Sequence, residues 1–214
     1  MILDYHHLPI CAIMLLFFGA FFITTFGTRG GVRKIVSMIA SAASLACLIA
    51  LIKPVMIDGE IISYWLGSRG IAGGYAIGIA IEVDALSLFF GLLVGIAAFA
   101  ACLYSLDYIT HDAHQVQYYT LLLMTSGGVL GMVLTGDIFN MYIMVEILTI
   151  GAVGLTAYRS KSEGALEAAF KYLVVGSIGS AFILTAIVML YAEAHTLNLA
   201  QLSVLLPYAL PVPA

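Results

Sequence analysis

The chain has 214 residues, of which 63% are hydrophobic and only 9% are charged. A soluble domain usually carries about 25% charged residues, and a mean hydropathy of +1.10 is more than a water-soluble fold can hide. The formal charge of −4 comes without a basic stripe, which excludes a nucleic-acid partner from the expected functions. The composition therefore predicts an integral membrane protein.

A membrane-spanning helix needs about 20 predominantly apolar residues. Six stretches meet this requirement: 8–26, 35–52, 85–106, 115–136, 138–158 and 165–192. The predicted fold class is all-α integral membrane, with about six transmembrane helices in a single membrane domain over 1–214. We interpret the first helix as retained, because the leader from Met1 to His7 lacks the Lys and Arg of a signal peptide.

The link between the second and third helices is too polar and glycine-rich to cross a membrane. Its second half, 77–84, alternates apolar residues with Gly78, Ala80 and Glu82, which is the period of a β-strand. A shorter apolar run precedes it. The pattern predicts a β-hairpin over about 61–83, followed by Asp84 as an N-cap of the third helix.

Lys and Arg in short loops set the orientation, because cytoplasmic loops carry an excess of both. Five of them share one side: Arg29, Arg33, Lys34, Arg159 and Lys161. The opposite side has two, Lys53 and Arg69. We expect the first set to be cytoplasmic, with both termini and the hairpin extracytoplasmic, in the cell (inner or plasma) membrane.

Glu146 is the sharpest functional signal, since it is the ninth residue of a helix of about 20 and lies near mid-membrane. A charge there costs about 2.5–3.5 kcal/mol on insertion scales, and the neighbours Met141 to Ile150 are otherwise apolar. The position predicts a proton or cation site. The alternative is a neutral glutamate that hydrogen-bonds a neighbouring helix. Asp137, at the preceding helix junction, is predicted to be an N-cap.

Lys171 is the second signal, about two turns into the sixth helix. It could form an ion pair with Glu167, four residues earlier, or extend toward the interface. It could also meet Glu146 directly or through one water, and the two groups would then form part of a proton relay. All three arrangements remain open on the sequence.

Three polar residues of a cytoplasmic loop, His111, Asp112 and His114, could admit protons or bind a metal, or could simply be solvated. The cysteines Cys11, Cys47 and Cys102 lie far apart in the sequence without metal-ligand or disulfide spacing. We expect no metal, no cofactor and no catalytic centre in this chain.

Two long stretches resemble the proton-pumping proteins shared by complex I, Mrp-type cation/proton antiporters and membrane-bound hydrogenases. They are LTGDIFNMYIMVEI at 134–147 and EAAFKYLVVGSIGSAF at 167–182. Two shorter stretches, VDALS at 83–87 and YSLDYI at 104–109, are similar to the antiporter-D and hydrogenase branch of that family. The family also has a β-hairpin after its second helix.

The resemblance implies a role for each matching position. Glu146 falls on the family's fifth-helix glutamate, which pairs with a lysine and switches its protonation, and Lys171 falls on its sixth-helix lysine. Such complexes couple electron transfer or an ion gradient to the movement of H⁺ or Na⁺. The resemblance therefore implies partner membrane subunits within the lipid bilayer, with any redox centre on those partners.

Family members have about fourteen helices in two inverted repeats, whereas this sequence predicts six. The broken seventh helix, its central lysine and the second repeat have no counterpart here. The resemblance therefore implies half of one channel, in either a split subunit completed by another chain or a truncated product.

Three functions stay open at this point. The chain could contribute to ion translocation through Glu146 and Lys171, or it could be a structural subunit that packs against pumping subunits without conducting. The third is an intramembrane enzyme acting on quinone or lipid. Such an enzyme needs a nucleophile or a paired acid and base at one depth, and only Glu146 qualifies.

Overall fold

The computed structural model describes residues 5–28, 31–66, 71–72, 75–76, 78–109, 114–159 and 163–209. Within these ranges, six helices are long and apolar enough to cross a membrane. The chain is thus a predominantly helical multi-pass membrane protein, as its composition predicts.

The helices are α1 (Leu8–Phe26), α2 (Val32–Ala50), α3 (Ala85–Tyr108), α4 (Gln115–Val133), α5 (Ile138–Thr156), α6 (Glu163–Ala194) and α7 (Leu199–Ala209). The first six begin and end within three residues of the predicted bounds, and a π-helical turn at Lys53–Ile57 prolongs α2. The sequence analysis missed α7, because its 11 residues are far fewer than a spanning helix needs.

The predicted hairpin consists of β1 (Ile62–Leu66) and β4 (Ile79–Val83), paired antiparallel with Ile62 opposite Val83 and Leu66 opposite Ile79. A second, shorter pair, β2 (Ile71–Ala72) and β3 (Tyr75–Ala76), lies between them in sequence. Gly78 precedes β4 with a φ of 120°, a conformation that residues with a side chain rarely adopt. The alternating pattern of 77–84 thus identified a strand correctly.

Both predicted aspartate caps are confirmed. The Ser87 amide donates to Asp84 Oδ1 at 2.8 Å, and the Asp84 amide donates to Ser87 Oγ at 2.8 Å, which completes a capping box at the start of α3. At the start of α5, the Asn140 amide donates to Asp137 Oδ1 at 2.8 Å. Each carboxylate satisfies an amide that has no partner within its helix.

Helices α1 to α4 and the hairpin enclose one apolar core, in which Leu16, Leu48, Leu88 and Leu123 are fully buried. Helix α5 packs on α4, and α6 packs on α5, so the two extend from the core in a row. A smaller apolar cluster joins α5, α6 and α7 through Ile138, Ile187, Ala194 and Leu202. Helix α6 is consequently the most exposed of the six long helices.

Glycines allow α4 and α5 to approach closely. A Cβ on Gly128 would lie 3.1 Å from the Leu148 amide nitrogen and 3.2 Å from the Met144 carbonyl oxygen. In the GxxxG pair of α4, Gly131 faces Met144 whereas Gly127 faces Phe17 of α1. The pair therefore serves two helix interfaces, consistent with the role of small residues in membrane helix packing.

The bundle has two chemically distinct ends. We call the end that carries β1, β4 and residues 134–138 the hairpin end. At the opposite, basic end, Arg33 Nε donates to Gln115 Oε1 at 2.9 Å and Lys34 Nζ donates to the Leu106 carbonyl at 2.6 Å. These two cations therefore join the start of α2 to the end of α3 and the start of α4.

We predict that Gly128→Val destabilises the chain by about 1–3 kcal/mol, because the added side chain would press on the α5 backbone. Thermal unfolding in detergent measures the change. The matched control is Gly179→Val in α6, since a Cβ at Gly179 would meet no atom within 4 Å. Equal melting temperatures for the two variants would contradict the close α4–α5 contact.

Candidate functional site

Glu146 lies in the middle of α5, at the ninth of its 19 residues, and its side chain is half-buried. Tyr142, one helical turn earlier on the same face, lies close enough to interact with its carboxylate. No Lys or Arg among the described residues forms an ion pair with it. The structure therefore places this carboxylate at mid-helix with a neutral hydroxyl beside it.

Glu146 is on the face of α5 that meets α6. Tyr142, four residues before it, packs against the α5–α6–α7 cluster, and Thr149, three residues after it, contacts Gly176 of α6. Residues three and four apart share one face of a helix. Met144 and Leu148 contact α4 on the other side, so the carboxylate is directed away from the main core.

Helix α6 carries a glycine at the depth of Glu146. Helices α5 and α6 run antiparallel, since the Ile138 amide of α5 bonds the Leu197 carbonyl just after α6. Because Thr149 lies opposite Gly176, Glu146 is level with Gly179. A Cβ at Gly179 would meet nothing within 4 Å. Gly179 is itself exposed, so α6 presents no side chain on its surface at this depth.

Lys171 forms an ion pair with Glu167, one of the arrangements that the sequence left open, and the two side chains are 70% and 65% exposed. It lies two residues after buried Ala169, or about 200° around the helix, and so faces away from α5. Eight residues separate it from the level of Glu146, which is about 12 Å along the axis. In this arrangement Lys171 binds its local partner.

The polar loop predicted as a site for proton uptake is only partly described. His111 and Asp112 lie outside the described residues, while His114 is exposed directly before α4 at the basic end. Among the described residues, no group of three or more His, Cys, Asp or Glu could hold a metal ion.

A polar junction at the hairpin end escaped the sequence analysis. Asn198 Nδ2 donates to Glu82 Oε1 at 3.2 Å, and Asn140 Nδ2 donates to Thr135 Oγ1 at 2.9 Å. Asn198 also caps α7, since its Oδ1 accepts from the Gln201 amide at 3.0 Å. Asn followed three residues later by Gln is a capping pattern, so the start of α7 could have been predicted from the sequence. No sequence pattern indicates the contact between Asn198 and Glu82.

Two family models match the chain. One, described as NADH:quinone oxidoreductase/Mrp antiporter, TM, matches residues 135–210. The other, described as NADH-Ubiquinone oxidoreductase (complex I), chain 5 N-terminus, matches residues 71–119. The chain belongs to the NADH:quinone oxidoreductase/Mrp antiporter family. The resemblance found in 134–147 and 167–182 is thereby confirmed.

Individual members of the family show the same likeness. NADH-quinone oxidoreductase subunit N of Desulforudis audaxviator (strain MP104C) is 36% identical over 132 residues, which are 61% of this chain and 26% of that protein. A chain of the membrane-bound sulfane sulfur reductase, described as an archaeal respiratory membrane complex, is 30% identical with a TM-score of 0.86. That match covers 95% of this chain and 41% of the reductase chain.

A chain of the Mrp complex from Dietzia sp. DQ12-45-1b is 21% identical with a TM-score of 0.76, over 98% of this chain and 40% of that one. This likeness concerns the fold. The chain thus spans about a quarter of the length of the curated relative and about two fifths of the solved chains.

The two aspartate caps differ in their electrostatic surroundings. Hydrogen bonds from the Ser87 amide and hydroxyl lower the pKa of Asp84 below its usual value. Burial raises the pKa of Asp137, and this effect outweighs the hydrogen bonds from the amides of Asn140 and Phe139. Asp137 is 5% exposed, so the desolvation of its charged form accounts for the direction.

Stability should therefore depend on pH in opposite directions at the two caps. The contribution of Asp137 is fully present below its unfolded pKa of about 4 and is lost as pH rises through its raised folded pKa. That of Asp84 is present above its unfolded pKa and is lost as pH falls through its lowered folded pKa. We predict that Asp137→Asn gains stability relative to wild type as pH rises, whereas Asp84→Asn loses it.

Thermal unfolding of both variants and wild type across pH 3 to 8 tests the opposite signs, since asparagine caps a helix as well as aspartate does. Asp137→Ala, which lacks the cap, should be about 1 kcal/mol less stable than Asp137→Asn at every pH. The assignment is wrong if both asparagine variants shift in the same direction.

Proposed function

We propose that the chain is a subunit of a multi-subunit membrane complex and contributes to the translocation of protons or sodium ions. The half-buried carboxylate of Glu146, at mid-helix on the α6 face of α5, carries the proposal. Family membership supports it, because the related proteins are named as subunits of NADH-quinone oxidoreductase and chains of the Mrp complex.

The energetics of Glu146 favour a group that changes its protonation state. An ionised carboxylate at mid-membrane costs about 2.5–3.5 kcal/mol on insertion scales, and no Lys or Arg among the described residues is paired with Glu146. A proton, a sodium ion or an approaching cation would each neutralise the charge. Such a species would approach from the α6 side, where Gly179 adds no side chain at the depth of Glu146.

Lys171 is the second group in the proposed path. It lies about 12 Å from the level of Glu146 toward the basic end, which is too far for a direct hydrogen bond in the described arrangement. The proposed relay therefore runs along a hydrated line between them, or requires a rotation of α6 that brings Lys171 toward α5. On either route, the ion pair between Lys171 and Glu167 is the resting state of the proposed relay.

The proposed topology places the basic end in the cytoplasm. Arg33 and Lys34 at that end, together with three further Lys and Arg in its loops, support this sidedness. The hairpin end and both termini would then be extracytoplasmic, in the cell (inner or plasma) membrane. Partner membrane subunits would carry any redox centre.

We predict that Glu146→Gln and Lys171→Ala assemble into the complex but abolish most ion translocation, because each removes a group that gains or loses charge. Native gel electrophoresis measures assembly, and a pH-sensitive dye in sealed vesicles measures pumping. Repeating the assay with and without Na⁺ distinguishes proton from sodium transport.

Two carboxylates of α6 are matched controls. Glu193→Gln removes an exposed carboxylate near the hairpin end and should leave transport unchanged. Glu167→Gln removes the local partner of Lys171 and should reduce transport only if that pair is part of the path. If Glu146→Gln and Lys171→Ala both pump normally, the chain is a structural subunit that packs against the pumping subunits.

A further inference from the structure

Residues 134–138, which connect α4 to α5, form hydrogen bonds with two other segments at once. On one side, the Glu82 amide bonds the Leu134 carbonyl at 3.0 Å and the Gly136 amide bonds the Ala80 carbonyl at 2.9 Å. On the other side, the Ile138 amide bonds the Leu197 carbonyl and the Leu199 amide bonds the Gly136 carbonyl, both at 2.9 Å. The connection is thus a short central strand.

The Glu82 side chain adds a further contact to these backbone hydrogen bonds. It lies directly over Gly136, where a Cβ would come within 2.6 Å of Glu82 Cδ, and its Oε1 accepts from Asn198 Nδ2. One carboxylate therefore touches all three segments: the hairpin, the α4–α5 connection and the α6–α7 connection. We call this assembly of Glu82, 134–138 and 196–199 the clasp.

The clasp also holds two helix starts side by side. Asp137 and Asn198 are bridge partners, and each caps its own helix, α5 or α7. Asp137, Thr196 and Asn198 are all at most 5% exposed. Buried backbone ladders with satisfied side chains are among the last parts of a protein to open.

The basic end of the same helices is packed differently. A cavity of about 300 Å³ opens there between the ends of α3, α5 and α6, lined among others by Tyr108, Thr156 and Ala165. Toward this end α6 contacts α5 at Gly176 and then presents mostly exposed side chains. Loose packing permits displacement that a close-packed contact resists.

We propose that the clasp is a fixed pivot: it stays closed while α5 and α6 move against each other toward the basic end, and Glu82 is the positioning residue that holds it. The part about motion rests on the proposed ion translocation, whereas the part about Glu82 stands on the geometry alone. The experiments below separate the two.

Hydrogen exchange tests the role of Glu82 without any transport assay. Glu82→Met keeps the volume but removes the acceptor, so exchange of the Ile138 and Leu199 amides should accelerate at least about tenfold. Glu82→Gln retains an acceptor oxygen for Asn198 and should stay within about threefold of wild type. Amides of α1 report any global loss of stability. Equal exchange in both variants would exclude Glu82 as the positioning residue.

Two engineered disulfides test the pivot in a background with Cys11, Cys47 and Cys102 replaced by Ala. Ile81 and Thr135 are bridge partners in a non-hydrogen-bonded antiparallel pair, which places their Cα atoms about 4.5 Å apart, within disulfide range. Thr149 and Gly176 join α5 to α6 beyond the clasp, where a Cβ on Gly176 would lie 2.8 Å from Thr149 Cγ2.

Oxidation of the Ile81→Cys/Thr135→Cys variant should leave ion translocation within about twofold of its reduced form, because the clasp stays closed. Oxidation of Thr149→Cys/Gly176→Cys should block translocation, and reduction should restore it. The pivot is refuted if the first disulfide blocks transport or if neither does. If the wild-type complex assembles but does not translocate ions, the proposed function fails, and hydrogen exchange still decides the role of Glu82.

Discussion

The bilayer interior offers no hydrogen-bond partners to peptide groups, so each N–H and C=O at that depth must be satisfied within the chain. Long continuous helices meet this requirement in α1 to α6. Where the helices are interrupted at the hairpin end, residues 134–138 and 196–199 recover their hydrogen bonds by pairing with β4 and with each other. The hairpin therefore supplies the backbone partners that the breaks between helices would otherwise lack.

The two faces of α5 have different roles in the packing of the helices. One face presents Leu148 and Gly151 to α4, where small residues on both helices bring the backbones together. A close-packed face of this kind tolerates no added volume and offers no room for a charge. The remaining face is left for Glu146, and there α5 packs against α6 and, at its start, against α7.

Local rules predicted most of the fold. Apolar run lengths located the six long helices, period-two alternation located β4, and Asp84 and Asp137 marked helix starts because a cap needs only a residue and the amides that follow it. The clasp could not be predicted in the same way, because Glu82 and Asn198 are 116 residues apart. The residues around one of them do not indicate that it contacts the other. The sequence also left several partners open for Lys171. The structure shows that Lys171 faces away from α5 and pairs with Glu167.

The placement of charge along α5 and α6 makes the protonation of Glu146 the natural switch of the proposed relay. The pair of Lys171 and Glu167 joins two opposite charges one helical turn apart, whereas a charge on Glu146 without a cationic partner costs about 2.5–3.5 kcal/mol. In the proposed relay, a Lys171 that leaves Glu167 and approaches α5 would neutralise that charge. In the proposed relay, a charged Glu146 attracts Lys171 or another cation toward α5, and a neutralised Glu146 leaves Lys171 with Glu167.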